Sequence, residues 1–145
     1  MEMIEEYEVF DILTGKISGS INRTLLRAFA NGGINITTEQ WSVMACLWNE
    51  DNVTQQTLCN LTWKDKPSMT RLIDNLERLN LVKRVSDAND RRKNMIHLTE
   101  KGREIMPKTR QIVRQVVEKA VHNIDTKDIT LGRTLLKRIM ANLES

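Results

Sequence analysis

Nine basic side chains, Lys64, Lys66, Arg71, Arg78, Lys83, Arg84, Arg91, Arg92 and Lys93, fall within thirty consecutive residues that hold only five acids. The segment carries a surplus of four positive charges in a chain whose net charge is +3, so the remainder is close to neutral. Cations concentrated on a nearly neutral body suit a polyanion with a defined contact surface. A solvated charged face gives the same count, so the elements that carry the charges must decide. Other chemistries lack material. Two histidines, His97 and His122, and two cysteines, Cys46 and Cys59, without a CxxC pair, offer no ligand set for a metal. No glycine-rich phosphate loop, nucleophile elbow or HExxH helix occurs. The expectation is therefore a binding protein with no cofactor and no metal, not an enzyme. The cysteines read as small buried apolar residues in a reducing compartment.

The chain that must position these cations has 145 residues, 40% hydrophobic and 28% charged. That fits one domain with a sizeable core. No apolar run approaches the roughly 18 residues of a membrane span. The start, MEMIEEYEVF, is acidic and lacks the layout of a secretory signal, so a cytoplasmic protein is expected.

Phe10, Leu13, Ile17, Ile21, Leu25 and Phe29 recur at steps of three or four and predict an amphipathic helix over about 5–30, stopped by Gly32 and Gly33. Thr37 and Gln40 have capping-box spacing and open a second helix, with Trp41, Met44, Ala45 and Trp48 on one face. A short helix follows Thr54, with Leu58 and Leu61 predicted inward. The next begins near Pro67, with an apolar stripe of Met69, Leu72, Ile73, Leu76 and Leu79. Arg71, Asp74 and Arg78 lie opposite, and Asn80 closes it. The period then changes: 81–86 and 94–99 read as two strands joined by the polar DANDRRK, a hairpin with a basic tip. Helix resumes after Thr99 to about Asn123, with a kink expected at Pro107. A last helix is capped by Asp125 or Thr126, with Leu131, Leu135, Leu136, Ile139, Met140 and Leu143 on its apolar side.

Two short helices followed by a basic hairpin make a winged helix-turn-helix. The expected fold is mainly α with a small β-hairpin wing. In such units the second helix enters the major groove with its N-terminal residues on base edges. Here those are Lys66, Ser68, Thr70 and Arg71, with Lys64 beside them. Arg91, Arg92 and Lys93 at the hairpin tip are placed to reach the adjacent minor groove.

These residues also carry a resemblance. Asp90-x-Arg92, then five residues and Leu98-Thr99, is similar to the wing signature of the MarR family, and Glu100-Lys101-Gly102 continues it. Asp65-Lys66-Pro67 and Thr70-Arg71-Leu72-Ile73-Asp74-x-Leu76-Glu77 resemble that family's recognition helix, and Leu81-Val82-x-Arg84 its first wing strand. Asn80 stands where the family usually has glycine, and it tolerates the same backbone. The resemblance implies a transcriptional repressor that binds an inverted-repeat operator on double-stranded DNA as a homodimer. It implies a winged lobe over about 37–99, with 5–31 and 100–145 as dimerisation helices. It implies Arg92 in the minor groove, with Asp90 pairing to hold the wing. It also implies a cleft for a small aromatic or phenolic effector.

Trp41 and Trp48, seven apart on one helical face, read first as core and second as an effector pocket. Trp63, between the two short helices, has no assigned role. Some relatives sense peroxide through a cysteine near the N-terminus, and the first helix here has none. A winged helix that docks on protein instead of DNA is the competing class.

Overall fold

The computed structural model describes residues 5–145, apart from the side chain of Tyr7. The chain divides into two compact units, Met1–Val113 and Arg114–Ser145.

The first unit opens with α1 (Glu6–Asp11), a π-helical turn (Ile12–Lys16) and α2 (Ile17–Asn31). The sequence predicts one regular helix here. The structure instead inserts wider turns, with the Thr14 hydroxyl bonded back to the Phe10 carbonyl at 2.7 Å. Only the end of this segment docks: Leu25 and Phe29 are buried, whereas Phe10, Leu13, Ile17 and Ile21 are exposed. Gly33, at φ +75°, supplies the left-handed residue that ends α2. Ile34 N–H then donates to Phe29 O at 2.8 Å and Gly33 N–H to Ala30 O at 3.0 Å, the paired bonds of a Schellman end.

Next comes α3 (Thr38–Asn49). Both arms of its expected capping box form, Gln40 N–H to Thr37 Oγ1 at 3.1 Å and Thr37 N–H to Gln40 Oε1 at 2.9 Å. Its buried face is Gln40, Val43, Met44 and Leu47. That face is displaced from the tryptophan face the spacing suggested, so Trp41 is only half-buried and Trp48 is exposed. A strand of two residues, β1 (Val53–Thr54), precedes α4 (Gln55–Thr62) and α5 (Lys66–Arg78). Leu58 is buried as predicted, but Leu61 is 54% exposed, because α4 is short and only one side meets the core. Leu79 also lies beyond the buried stripe and is exposed. Asn80 takes φ +60°, and the same pair of Schellman bonds recurs, Leu81 N–H to Leu76 O and Asn80 N–H to Glu77 O.

The hairpin is β2 (Val82–Ser86) and β3 (Asn94–Leu98), with Val82 opposite Leu98 and Ser86 opposite Asn94. β1 adds to its inner edge through Val53 opposite Ile96, giving the antiparallel order β1-β3-β2. The core gathers Phe29, Val43, Met44, Leu47, Leu58, Met69, Ile73, Leu76 and Ile96, closed by Met106 from α6 (Glu100–Ala120). That helix continues through Pro107 as a single element. Its start explains the Leu-Thr-Glu-Lys-Gly run. Leu98 is buried, Thr99 Oγ1 donates to Asn80 O at 2.6 Å and accepts from Gly102 N–H at 3.0 Å, and Gly102 faces the Leu81 carbonyl so closely that a Cβ there would sit 2.2 Å from the oxygen.

In the second unit, the end of α6 turns into α7 (Thr126–Glu144), whose cap is Asp125, accepting Lys127 N–H at 3.0 Å. Leu131, Leu135, Leu136 and Leu143 are exposed on it. Among the described residues, no helix is long and apolar enough to cross a membrane.

Candidate nucleic-acid interface

Helices α4 and α5 are joined by Trp63, Lys64 and Asp65. Trp63 caps α4 in the left-handed conformation, φ +61°, with its side chain 57% exposed. Asp65 caps α5, its carboxylate accepting the Ser68 backbone N–H at 2.7 Å. Hydrogen bonds from the Ser68 backbone and hydroxyl hold the Asp65 carboxyl below its usual range, with the Arg71 and Lys64 charges adding to the effect. Asp65 therefore stays ionised at the positive end of the helix. The spacing pointed to Pro67 as the start, and the cap was the part it missed.

From this start Lys66 and Arg71 project as exposed side chains, with Arg71 Nη2 lying 3.4 Å from Ser68 Oγ. Two other residues of the expected surface are engaged internally. The Lys64 ammonium lies 3.3 Å from Glu39 and is mostly covered. The Thr70 hydroxyl donates to the Lys66 carbonyl at 2.9 Å and accepts from Gln55 Nε2 at 2.7 Å. Its hydrogen is thus already committed to the protein's own backbone.

The wing tip is built by backbone capture. Asp87 N–H bonds Lys93 O, Lys93 N–H bonds Asp90 O, and the Asp90 carboxylate accepts the Arg92 backbone N–H at 3.0 Å. Asp90 braces the turn through that amide. Its expected side-chain partner, the Arg92 guanidinium, is left exposed together with Arg91 and Lys93. Between wing and helices, Lys66, Arg92 and Lys93 line one groove of about 260 Å3 with Gln55, Gln56 and Asn94.

The wing is fixed to α5 by Arg84. Its guanidinium lies 2.8 Å from Asp74 and also pairs with Glu77, the two acids sharing a face of α5 at i, i+3. Asp51 ties the other edge, accepting Leu98 N–H at 3.0 Å and pairing with Arg103. Sequence reasoning missed both, along with Gln55. For Arg84 the acids three apart on one helix were an available signal. For Gln55 and Asp51 none was.

The expectation that the tryptophans are core is not met. Trp48 is exposed with the Arg110 guanidinium 6.0 Å from its ring centroid, and the half-buried Trp41 keeps its Nε1 buried without a hydrogen-bond partner. Cys46 and Cys59 are free thiols, Cys59 buried. Burial raises the Cys46 thiol above its ordinary value, which keeps it protonated and poorly nucleophilic at neutral pH.

Comparison with known proteins bears on this lobe directly. A sequence model of the MarR family matches residues 36–93, from before α3 to the wing tip. The transcriptional regulator FarR of Neisseria gonorrhoeae is 30% identical over 112 residues, 75% of this chain and 72% of that regulator. Among solved structures, MepR of S. aureus in complex with DNA superposes with a TM-score of 0.81 at 21% identity, covering 97% of this chain and 99% of that one. A cysteine-to-serine mutant of MarR from E. coli, complexed with operator DNA, gives 0.82 at 21% identity over 96% and 99% of the two chains. The solved structures establish the fold, and the relative in Neisseria extends the likeness to sequence. The chain belongs to the MarR family and is a transcriptional regulator, not an enzyme.

Proposed function

We propose that the protein binds an inverted repeat on double-stranded DNA as a homodimer in the cytoplasm and represses the genes it covers. In this reading residues 37–99 form the DNA-binding lobe of one MarR-like domain, and 5–31 with 100–145 form the dimer. Lys66, Ser68 and Arg71 enter the major groove and Arg91, Arg92 and Lys93 the flanking minor groove. Asp90 holds the tip in shape, while Lys64 and Thr70 act mainly by fixing the start of α5. The observation that carries the reading is the meeting of Lys66 from the helix with Arg92 and Lys93 from the wing around one groove. Relatives of the same fold that were crystallised on DNA support it.

Mobility shifts across a salt series test it, using a duplex that the protein selects from random DNA. Arg92→Ala is expected to weaken binding to most sites and relax preference only at flanking A/T positions. Arg71→Ala is expected to cost on the order of 1–3 kcal/mol and relax one position per half-site if it reads a base. If it grips phosphate instead, the salt slope falls by about one unit. Unchanged affinity for both variants at every salt concentration would sink the assignment.

Release by a small aromatic or phenolic effector completes the proposal. It is supported by the unpartnered Trp41 Nε1 and by the exposed Trp48 beside the Arg110 cation. An effector must bind the DNA-incompetent state better than the competent one, since equal affinity shifts nothing. Aromatic acids are expected to change tryptophan fluorescence and DNA affinity together. A panel that moves neither removes the effector from the proposal.

A further inference from the structure

The groove between α4, the start of α5 and the wing has a consistent chemistry. Three cations line it, Lys66, Arg92 and Lys93, together with the side-chain amides of Gln55, Gln56 and Asn94, and no carboxylate is among its lining residues. At about 260 Å3 it is several times larger than the roughly 30 Å3 share of one water, which is room for a phosphate and part of its sugar. In a duplex the major and minor grooves are separated by a sugar–phosphate strand. If α5 occupies the major groove and the wing the adjacent minor groove, that strand must pass between them, where this groove lies. We propose that the groove seats one backbone phosphate of the DNA, and that Gln55 is the neutral donor that positions it. The inference rests on the DNA reading above and adds to it residues that reading does not use.

Gln55 suits the role because its amide is already held. One Nε2 hydrogen goes to Thr70 Oγ1, and the Thr70 hydrogen goes on to the Lys66 carbonyl. Chained hydrogen bonds polarise one another, so the bond that holds the Gln55 amide in place is strengthened. The second Nε2 hydrogen has no hydrogen-bond partner among the described residues and belongs to a side chain lining the groove. A neutral amide on a phosphate oxygen adds a charge-assisted bond without displacing a counterion. The cations carry the salt dependence, and Gln55 sets where the strand lies.

The test is a double-mutant cycle between protein and DNA. The duplex is the one selected by the wild-type protein, with a single methylphosphonate placed in turn at each phosphate flanking a half-site. Gln55→Ala is expected to lower affinity roughly tenfold, the scale of a hydrogen bond to a charged group, at an unchanged salt slope. Gln55→Glu, which puts a carboxylate among phosphates, should lose more. At one methylphosphonate position the wild type should lose affinity while Gln55→Ala loses little further. Thr70→Val removes the bond that holds Gln55 and should weaken the coupling at that same methylphosphonate position and at no other. If wild type and Gln55→Ala respond alike to every methylphosphonate, or Thr70→Val changes the response at positions that Gln55→Ala leaves alone, the phosphate seat is wrong. Failure of the DNA reading itself looks different, because Arg71→Ala and Arg92→Ala would then leave binding untouched.

Discussion

Removal of Leu131–Ser145 is expected to convert the protein to a monomer and to weaken DNA binding by roughly two to four orders of magnitude. Among the described residues, apolar side chains lie open to solvent on two sets of helices. Leu131, Leu135, Leu136 and Leu143 are exposed on α7, and Phe10, Leu13, Ile17 and Ile21 are exposed on the N-terminal helices. Burying such side chains contributes about 25 cal/mol per Å2 of apolar area. Exposed apolar stripes on helices usually mark interfaces. A lobe freed from its partner must then find each half-site alone and forfeits the effective concentration that linkage provides. Light scattering reports the mass, and titration of the selected duplex reports the affinity. Because the winged lobe has its own core, its helical circular dichroism should survive the deletion. The paired substitution Leu131→Glu with Leu135→Glu should reproduce the result without shortening the chain. Full-length protein that scatters as a monomer at micromolar concentration while binding DNA tightly would overturn the dimer.

Gly102→Ala is the second large effect. An added Cβ would meet the Leu81 carbonyl oxygen at 2.2 Å and Leu98 Cδ2 at 3.2 Å. The flexible Leu98 side chain can give way, but the Leu81 carbonyl cannot, because it also accepts the Thr99 N–H at 3.0 Å. The start of α6 must then lift from the α5–β2 corner, breaking the Thr99 cap and loosening Met106 above the core. Overpacking costs typically 1–3 kcal/mol. A clash with fixed backbone belongs at the upper end or beyond, enough to lower Tm by on the order of 10 °C. Calorimetry checks this. A Tm within a degree or two of the wild type would mean the contact relaxes freely.

Much of the architecture is legible where a signal is local. The Thr37–Gln40 box, the left-handed Asn80 and the change from helical to strand period before Val82 depend on residues a few positions apart, and each is realised. What escapes depends on partners far along the chain. β1 is two residues long and is a strand only because Ile96 lies opposite Val53. Leu61 and Trp48 belong to plausible apolar faces, but the core meets α4 and α3 on other sides. The groove's Gln55 is fixed by a residue fifteen positions away, and Asp51 by one forty-seven away. Charge counting found Lys66, Arg71 and the wing cations, yet it could not tell that Glu39 holds Lys64.

Arg84 has a consequence for the grammar of any site the protein reads. By clasping Asp74 and Glu77 it ties β2 to α5. If α5 reads bases as proposed, the span from that helix to the base of the wing is then set by the lobe and not by the bound sequence. One extra base pair between the major-groove box and its A/T flank would move that flank by about 3.4 Å and rotate it around the duplex axis. A hinged wing could follow such a change, whereas a clasped one cannot. On the proposed reading, operators are free to drift in base identity within the box and the flank, but the interval between them is under a separate and stricter constraint.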